Sequence, residues 1–441
     1  MHTSIIRTCQ TFAIVALLTA CGGGGSGGSS VDPIDISNSG STPADGILRP
    51  AVENSPYKST IVNCVKIVND NPVSFCKLTT LPFIGQVSTA PTKATILAQT
   101  VVSHPWMATR FAQLLDQMPN DIFLLFRGVT AVVISADIRP SHYRNDTGAI
   151  YLDPADLWLI KSERDTISQE EDFRSGFSNG LGFRSLWRYV KNGSDAFGYF
   201  PLNGSVTSRS INDIVPPMAD LLFHELAHAN DFMQPASLAQ INSQLTADAA
   251  IESVASLRIS TSLLTQAPLN SQMQFGLADV MFWGETATTA QKSLTPLQVG
   301  LDFEVDGAND SYNYSSQYED VAMLFEEVMM KYHYNTDRQV AFTDAPSAQN
   351  FCSDYVVRWG VNNRIGLPLV KSRAQLIVQK VLGKTSTEAN TYLANLPAPY
   401  TMMIGVDWCN NLSSSFGSRA AGASQKPSQE SIPERNLLPI D

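Results

Sequence analysis

Leu221 to Ala229 reads LLFHELAHA, and it restricts the fold more than any other stretch of the chain. Its only polar side chains are His224, Glu225 and His228, with apolar residues at 221, 222, 223, 226, 227 and 229. A helix apolar on every side belongs inside the protein. Pro216 and Pro217 can sit at or before its start, and Pro235 ends it. Three ionisable side chains in such surroundings are costly unless they pair or hold a metal ion.

The spacing suits a metal. Residues at i and i+4 lie one above the other on a helix face, so the imidazoles of His224 and His228 can aim at one point. Catalytic zinc takes three protein ligands, often neutral histidine nitrogens at about 2.0–2.1 Å, and keeps one position for water. Glu225, rotated about 100° from His224 at 3.6 residues per turn, is badly placed as a ligand in that row but within reach of a bound water. His224-Glu225-Leu226-Ala227-His228 is thus an HExxH pentapeptide, and it resembles that of the zincin metallopeptidases. The resemblance implies Zn2+ as cofactor, His224 and His228 as metal ligands, and Glu225 as general base in peptide-bond hydrolysis.

A third ligand must come from elsewhere. The metzincin branch continues with Gly and then His, whereas this chain has Ala229-Asn230-Asp231-Phe232. Asp231 lies about 10 Å along the axis from His224 at 1.5 Å per residue, which suits a hydrogen bond to a ligand histidine better than ligation. Glu252 stands at an offset resembling thermolysin-like gluzincins, without their flanking Asn and Asp. Glu319, in Tyr318-Glu319-Asp320-Val321-Ala322, resembles the glutamate helix of another gluzincin group, with Val321 replacing a phenylalanine. Ser316-Gln317-Tyr318-Glu319 is equally an S-x-x-E capping box, in which the glutamate satisfies only a backbone N–H. Glu319 is the favoured third ligand and Glu252 the alternative.

Hydrolysis also needs a donor for the developing oxyanion. Tyr314 is the candidate catalytic donor, with Tyr312 and His333 as neighbours on either side of the Glu319 helix. His104 and His142 read as ordinary surface or core histidines. In zincins the substrate pairs with the edge of a sheet preceding the active helix, and Val129–Ser135 or Gly148–Leu152 would supply that edge.

The order of signals gives an α+β class, zincin-like, with a strand-containing N-terminal part, a mainly helical C-terminal part and the active site in the cleft between them. Pro105–Gln117 has helical apolar spacing, and Val129–Ser135 and Gly148–Leu152 read as buried strands. Residues 163–215 are polar and glycine-rich with scattered aromatics, which predicts a long loop or lid. The boundaries that follow are 1–21 signal peptide, 22–48 tether, 49–412 catalytic unit (N-terminal part to 215, helical part from 216) and 413–441 flexible tail.

The ends speak of location. Thr11–Thr19 is an apolar core too short to span a bilayer, and Leu18-Thr19-Ala20-Cys21 resembles the lipobox of bacterial lipoproteins. The resemblance implies a lipid on Cys21 holding the protein to a membrane, and Gly22 in place of Asp implies the outer membrane. The GGGGSGGSS run after Cys21 cannot bury a core and suits a flexible tether. With Cys9 in the signal and Cys21 as anchor, Cys64, Cys76, Cys352 and Cys409 remain. Three pairings are open, and the sequence-local one joins 64 to 76 and 352 to 409. A net charge of −11 excludes nucleic acid and anionic lipid headgroups as electrostatic partners. The expected partner is a peptide or protein substrate. The alternative is a lipid-anchored binding or scaffold protein with a structural or inactive zinc site.

Overall fold

Apolar β-branched runs form the first sheet. The computed structural model describes residues 47–413 apart from 199 and 347–350. Within them the strands Arg49–Pro50, Thr100–Val102, Ala131–Ile134, Ala149–Leu152 and His142–Arg144 lie side by side in that order. The inner three are parallel and the outer two antiparallel to their neighbours. Ala131–Ile134 and Ala149–Leu152 are buried on both faces, which is why they read as continuous apolar runs rather than alternating ones. Neither is an edge, contrary to expectation. The edge beside the HExxH helix is His142–Arg144, whose Tyr143 ring lies 5.5 Å from that of Phe232. The helix expected at Pro105 runs from Pro105 to Leu115, with the proline in its first turn.

Within the predicted loop or lid, Phe183–Lys191 and Ser194–Asp195 are instead strands of a second sheet, with order Tyr400–Thr401, Val357–Asn362, Asp337–Asp344, Phe183–Lys191 and Ser194–Asp195, antiparallel throughout. Its two central strands alternate strictly. Trp187 and Tyr189 on one strand, and Val340 and Phe342 on the other, face the main core. Leu186 and Ala341 face a second cluster with Tyr355, Val357, Met402 and Trp408. Arg188 also points that way, with its guanidinium 4.0 Å from the Trp408 ring centroid. Tyr189 and Arg338 are directly opposite cross-strand partners. The class is mixed α+β with a mainly helical C-terminal part, but three of the second sheet's strands come from that part.

The HExxH helix spans Ile211–Phe232 and therefore starts five residues before Pro216. Ser210 and Asp213 set its first turn, the Ser210 N–H donating to Asp213 at 2.7 Å. The two prolines sit inside the helix, where each removes an i→i−4 hydrogen bond. Burial of every residue from Pro217 to Asp231 offsets that loss, so tertiary packing overrides the local signal. The Glu319 helix, Gln317–Tyr334, packs along it, with Phe223 and Phe325 rings edge to face at 6.3 Å.

Cysteine pairing follows the sequence-local choice, Cys64 with Cys76 and Cys352 with Cys409. Such bonds persist under oxidising conditions, away from the reducing cytoplasm. No helix among the described residues is long and apolar enough to cross a membrane. The signal, Cys21, nearly all of the tether and the tail beyond Ser413 lie outside the described residues.

Gly128 brings the chain close to the HExxH helix. A Cβ there would lie 2.9 Å from the Ala229 carbonyl oxygen and 3.0 Å from its carbon, both backbone atoms. Gly128→Ala must push the helix away one residue beyond His228. We expect about 1–3 kcal/mol of destabilisation, read as a lower urea midpoint with an unchanged m-value. An unchanged midpoint would show that the contact relaxes freely.

Candidate metal centre

The two helices bring three donors together. His224 Nε2 lies 3.0 Å from Glu319 Oε2 and 3.2 Å from His228 Nε2, and His228 Nε2 lies 3.2 Å from the same Glu319 oxygen. His224, His228 and Glu319 are the side chains among the described residues grouped so that they could hold a metal ion. His224 is the deep member, with 1% of its side chain exposed, against 10% for His228 and 18% for Glu319. His228 and Glu319 thus lie nearer the surface than His224. Glu225 is buried beside it, 1% exposed.

Local structure explains how Glu319 is aimed. Ser316 caps its helix by accepting from the N–H groups of Tyr318 and Glu319 at 3.2 and 3.1 Å. With the cap made by the serine, the Glu319 carboxylate turns to the histidines rather than back to the backbone. Asp320, one residue on, turns away and accepts from Asn313 Nδ2 at 2.9 Å and from the Arg373 guanidinium. Glu252, the alternative ligand, is 78% exposed and pairs with Arg258 at 3.3 Å.

Tyr314 and Asp231 differ from expectation, whereas His104 and His142 lie outside the cluster as expected. Tyr314 donates its hydroxyl to Asp306 at 3.1 Å and packs its ring against Phe275 and Phe303, so that hydroxyl is already committed. Tyr312 is the tyrosine beside the donors, its ring stacked 6.3 Å from that of His224 and edge-on to Phe282. His333 stacks on Phe223 and reaches Asp121 at 3.1 Å. His142 bonds the Pro140 carbonyl, and His104 the Ser103 hydroxyl. Asp231 accepts from the Ser260 N–H at 2.8 Å and bonds neither histidine.

The hydrogen bond to a ligand histidine expected of Asp231 is made instead by Glu326, which sequence reasoning did not single out. Glu326, two turns after Glu319, places Oε2 2.9 Å from His224 Nδ1. Its other oxygen accepts from Arg338 at 2.6 Å and from the Tyr189 hydroxyl at 3.2 Å. A signal was available, since Glu326 and Glu327 interrupt an otherwise apolar stretch, Val321–Met330, much as the histidines interrupt theirs.

Electrostatics follow from this crowding. Burial disfavours a charged His224, but hydrogen bonds to Glu319 and Glu326 outweigh it and hold its pKa well above the ordinary imidazole value. Burial likewise opposes a charged Glu319, yet the charge of His228 and hydrogen bonds to both imidazoles pull its pKa well below the usual carboxylate range. No family model, characterised protein or solved structure matches the chain.

The raised pKa favours a doubly protonated His224 in the metal-free cluster, so a divalent ion bound through Nε2 would displace one proton and leave the other on Nδ1. Calorimetric titration with zinc in buffers of different ionisation enthalpy should show release of about one proton per ion near neutrality. Affinity should rise with pH, because each step upward leaves less proton to displace. No buffer dependence would mean that His224 is already neutral in the metal-free cluster.

Proposed function

We propose that this chain is a zinc-dependent peptidase of gluzincin-like kind, acting outside the cytoplasm. The observation that carries the reading is the convergence of Glu319 on His224, 95 residues earlier in the chain, and on His228. Donors at 2.0–2.1 Å from a tetrahedral ion stand about 3.3 Å apart. The separations of 3.0–3.2 Å in this cluster fit that spacing. Two imidazole nitrogens and one carboxylate oxygen, which leave a fourth tetrahedral position for water, match the donor set of a catalytic rather than a closed structural site.

His224, His228 and Glu319 would hold the ion. When bound, zinc acts as a Lewis acid and lowers the pKa of a coordinated water towards neutrality. Glu225 would take the proton of the attacking water and deliver it to the leaving amine, and its buried position would keep that proton from solvent. Tyr312 would wall the site beside His224. Tyr314 is not carried into this scheme, because Asp306 already takes its hydroxyl. An extended peptide would add to the His142–Arg144 edge, where backbone pairing gives affinity without demanding a sequence.

The lipobox-like Leu18-Thr19-Ala20-Cys21 supports a lipid anchor, with Gly22 pointing to the outer membrane, and the two disulfides agree with an oxidising compartment. Glu225→Gln keeps size and hydrogen bonding while removing the base. It should cut kcat on a casein or peptide-library substrate by about 10²–10⁴-fold and leave one zinc per chain by elemental analysis. Undiminished turnover would eliminate Glu225 as base. Zinc-loaded wild-type protein without hydrolysis of any peptide would favour the anchored binding protein.

A further inference from the structure

We infer that Glu326 is a positioning residue for the metal centre, and that it works as the hinge between the metal-binding helix pair and the second sheet. The inference rests on the zinc-peptidase reading. An imidazole offers either nitrogen to a metal, and the nitrogen that carries the proton is the one that cannot ligate. Glu326 Oε2, 2.9 Å from His224 Nδ1, is an acceptor that fixes the proton on Nδ1 and turns the Nε2 lone pair towards His228 and Glu319. Glu319 and Glu326 are seven residues apart, two turns of one helix, so a single helix face brackets the imidazole from both sides.

What aims Glu326 comes from a different layer. Its Oε1 receives the Arg338 guanidinium at 2.6 Å and the Tyr189 hydroxyl at 3.2 Å. These two residues are direct cross-strand partners on the central strands of the second sheet. The Arg338 guanidinium stacks 4.6 Å from the Trp187 ring and 5.1 Å from that of Tyr189. It is also bound by Asp310 at 2.9 Å, so its fork is held by two carboxylates and two aromatic faces. Glu326 has no exposed surface, and neither it nor the two groups that aim it can swing without breaking this set. A long chain of hydrogen bonds thus runs from the sheet through Glu326 to the ligand histidine.

The test is zinc affinity by chelator competition, with far-UV circular dichroism as the check on folding. Glu326→Gln should weaken zinc by about 10–100-fold while keeping the secondary structure. Tyr189→Phe, which removes one hydroxyl and keeps the ring, should weaken it less. A Gln variant that binds zinc as tightly as wild type would overturn the inference and leave the zinc reading standing. Wild-type protein that fails to bind zinc would instead sink the reading itself. Should the Gln variant not fold, nitrogen-15 spectra of histidine-labelled, zinc-loaded wild type decide the matter. A protonated His224 Nδ1 with a metal-bound Nε2 supports the role, and a metal-bound Nδ1 overturns it.

Discussion

Everything at the centre of this molecule depends on two carboxylates of one helix meeting one imidazole of another. His224 sits with 1% of its side chain exposed, between Glu319 at Nε2 and Glu326 at Nδ1. A buried charge left without a partner destabilises by several kcal/mol, so neither helix can shift by a turn or rotate without exposing that cost. The helices are consequently locked in register as well as packed. The apolar contacts around them, such as Phe223 on Phe325, tolerate small slides that the polar contacts do not.

The polar contacts extend into a buried layer that an apolar core would not require. Arg338, Glu326, Asp310, Asn309 and Glu327 are all buried. Asn309 reaches Glu327 at 2.8 Å, and burial pushes the Glu327 pKa up to about 7. Replacing such groups with well-packed hydrophobic residues is often neutral or stabilising, so stability alone does not account for them. They do what apolar packing cannot, which is to fix the direction of a lone pair. Glu326 does so at His224, which ties the layer to the candidate metal centre.

The HExxH motif was legible because its geometry is local: four residues on a helix put two imidazoles in one row whatever the rest of the chain does. Glu319 was legible for the same reason at one remove, since Ser316 marks the helix start and the carboxylate follows within a turn. The second sheet was not. Phe183–Lys191 pairs with Asp337–Asp344 far along the chain, and no local pattern announces a partner at that distance. Its alternation was also hidden, because Arg188, an apparent surface residue, is buried over Trp408. Nothing local separates Tyr314 from Tyr312 as the tyrosine nearer the His224–His228–Glu319 cluster. On the short turn Ser311–Tyr314 two positions' difference sends one ring to Asp306 and the other to His224. The prolines misled for a related reason: they mark a helix start only where burial does not override them.

The second sheet's far face then acquires a meaning. Its near face presents Tyr189 and Arg338 to the metal helices, while the far face packs Leu186, Ala341 and Val357 on Trp408 and Met402. Cys352 joins that far cluster, and its bond to Cys409 closes a separation of 57 residues. On the chain-entropy account such a loop stabilises by about 4 kcal/mol, more than the roughly 3 kcal/mol for Cys64–Cys76 at a separation of 12. On that account the more stabilising of the two cross-links lies beside the strands that aim Glu326, and it favours the folded sheet by restricting the unfolded chain. A protein working in an oxidising compartment can rely on that bond, whereas one in a reducing compartment would have to hold the same strands by packing alone.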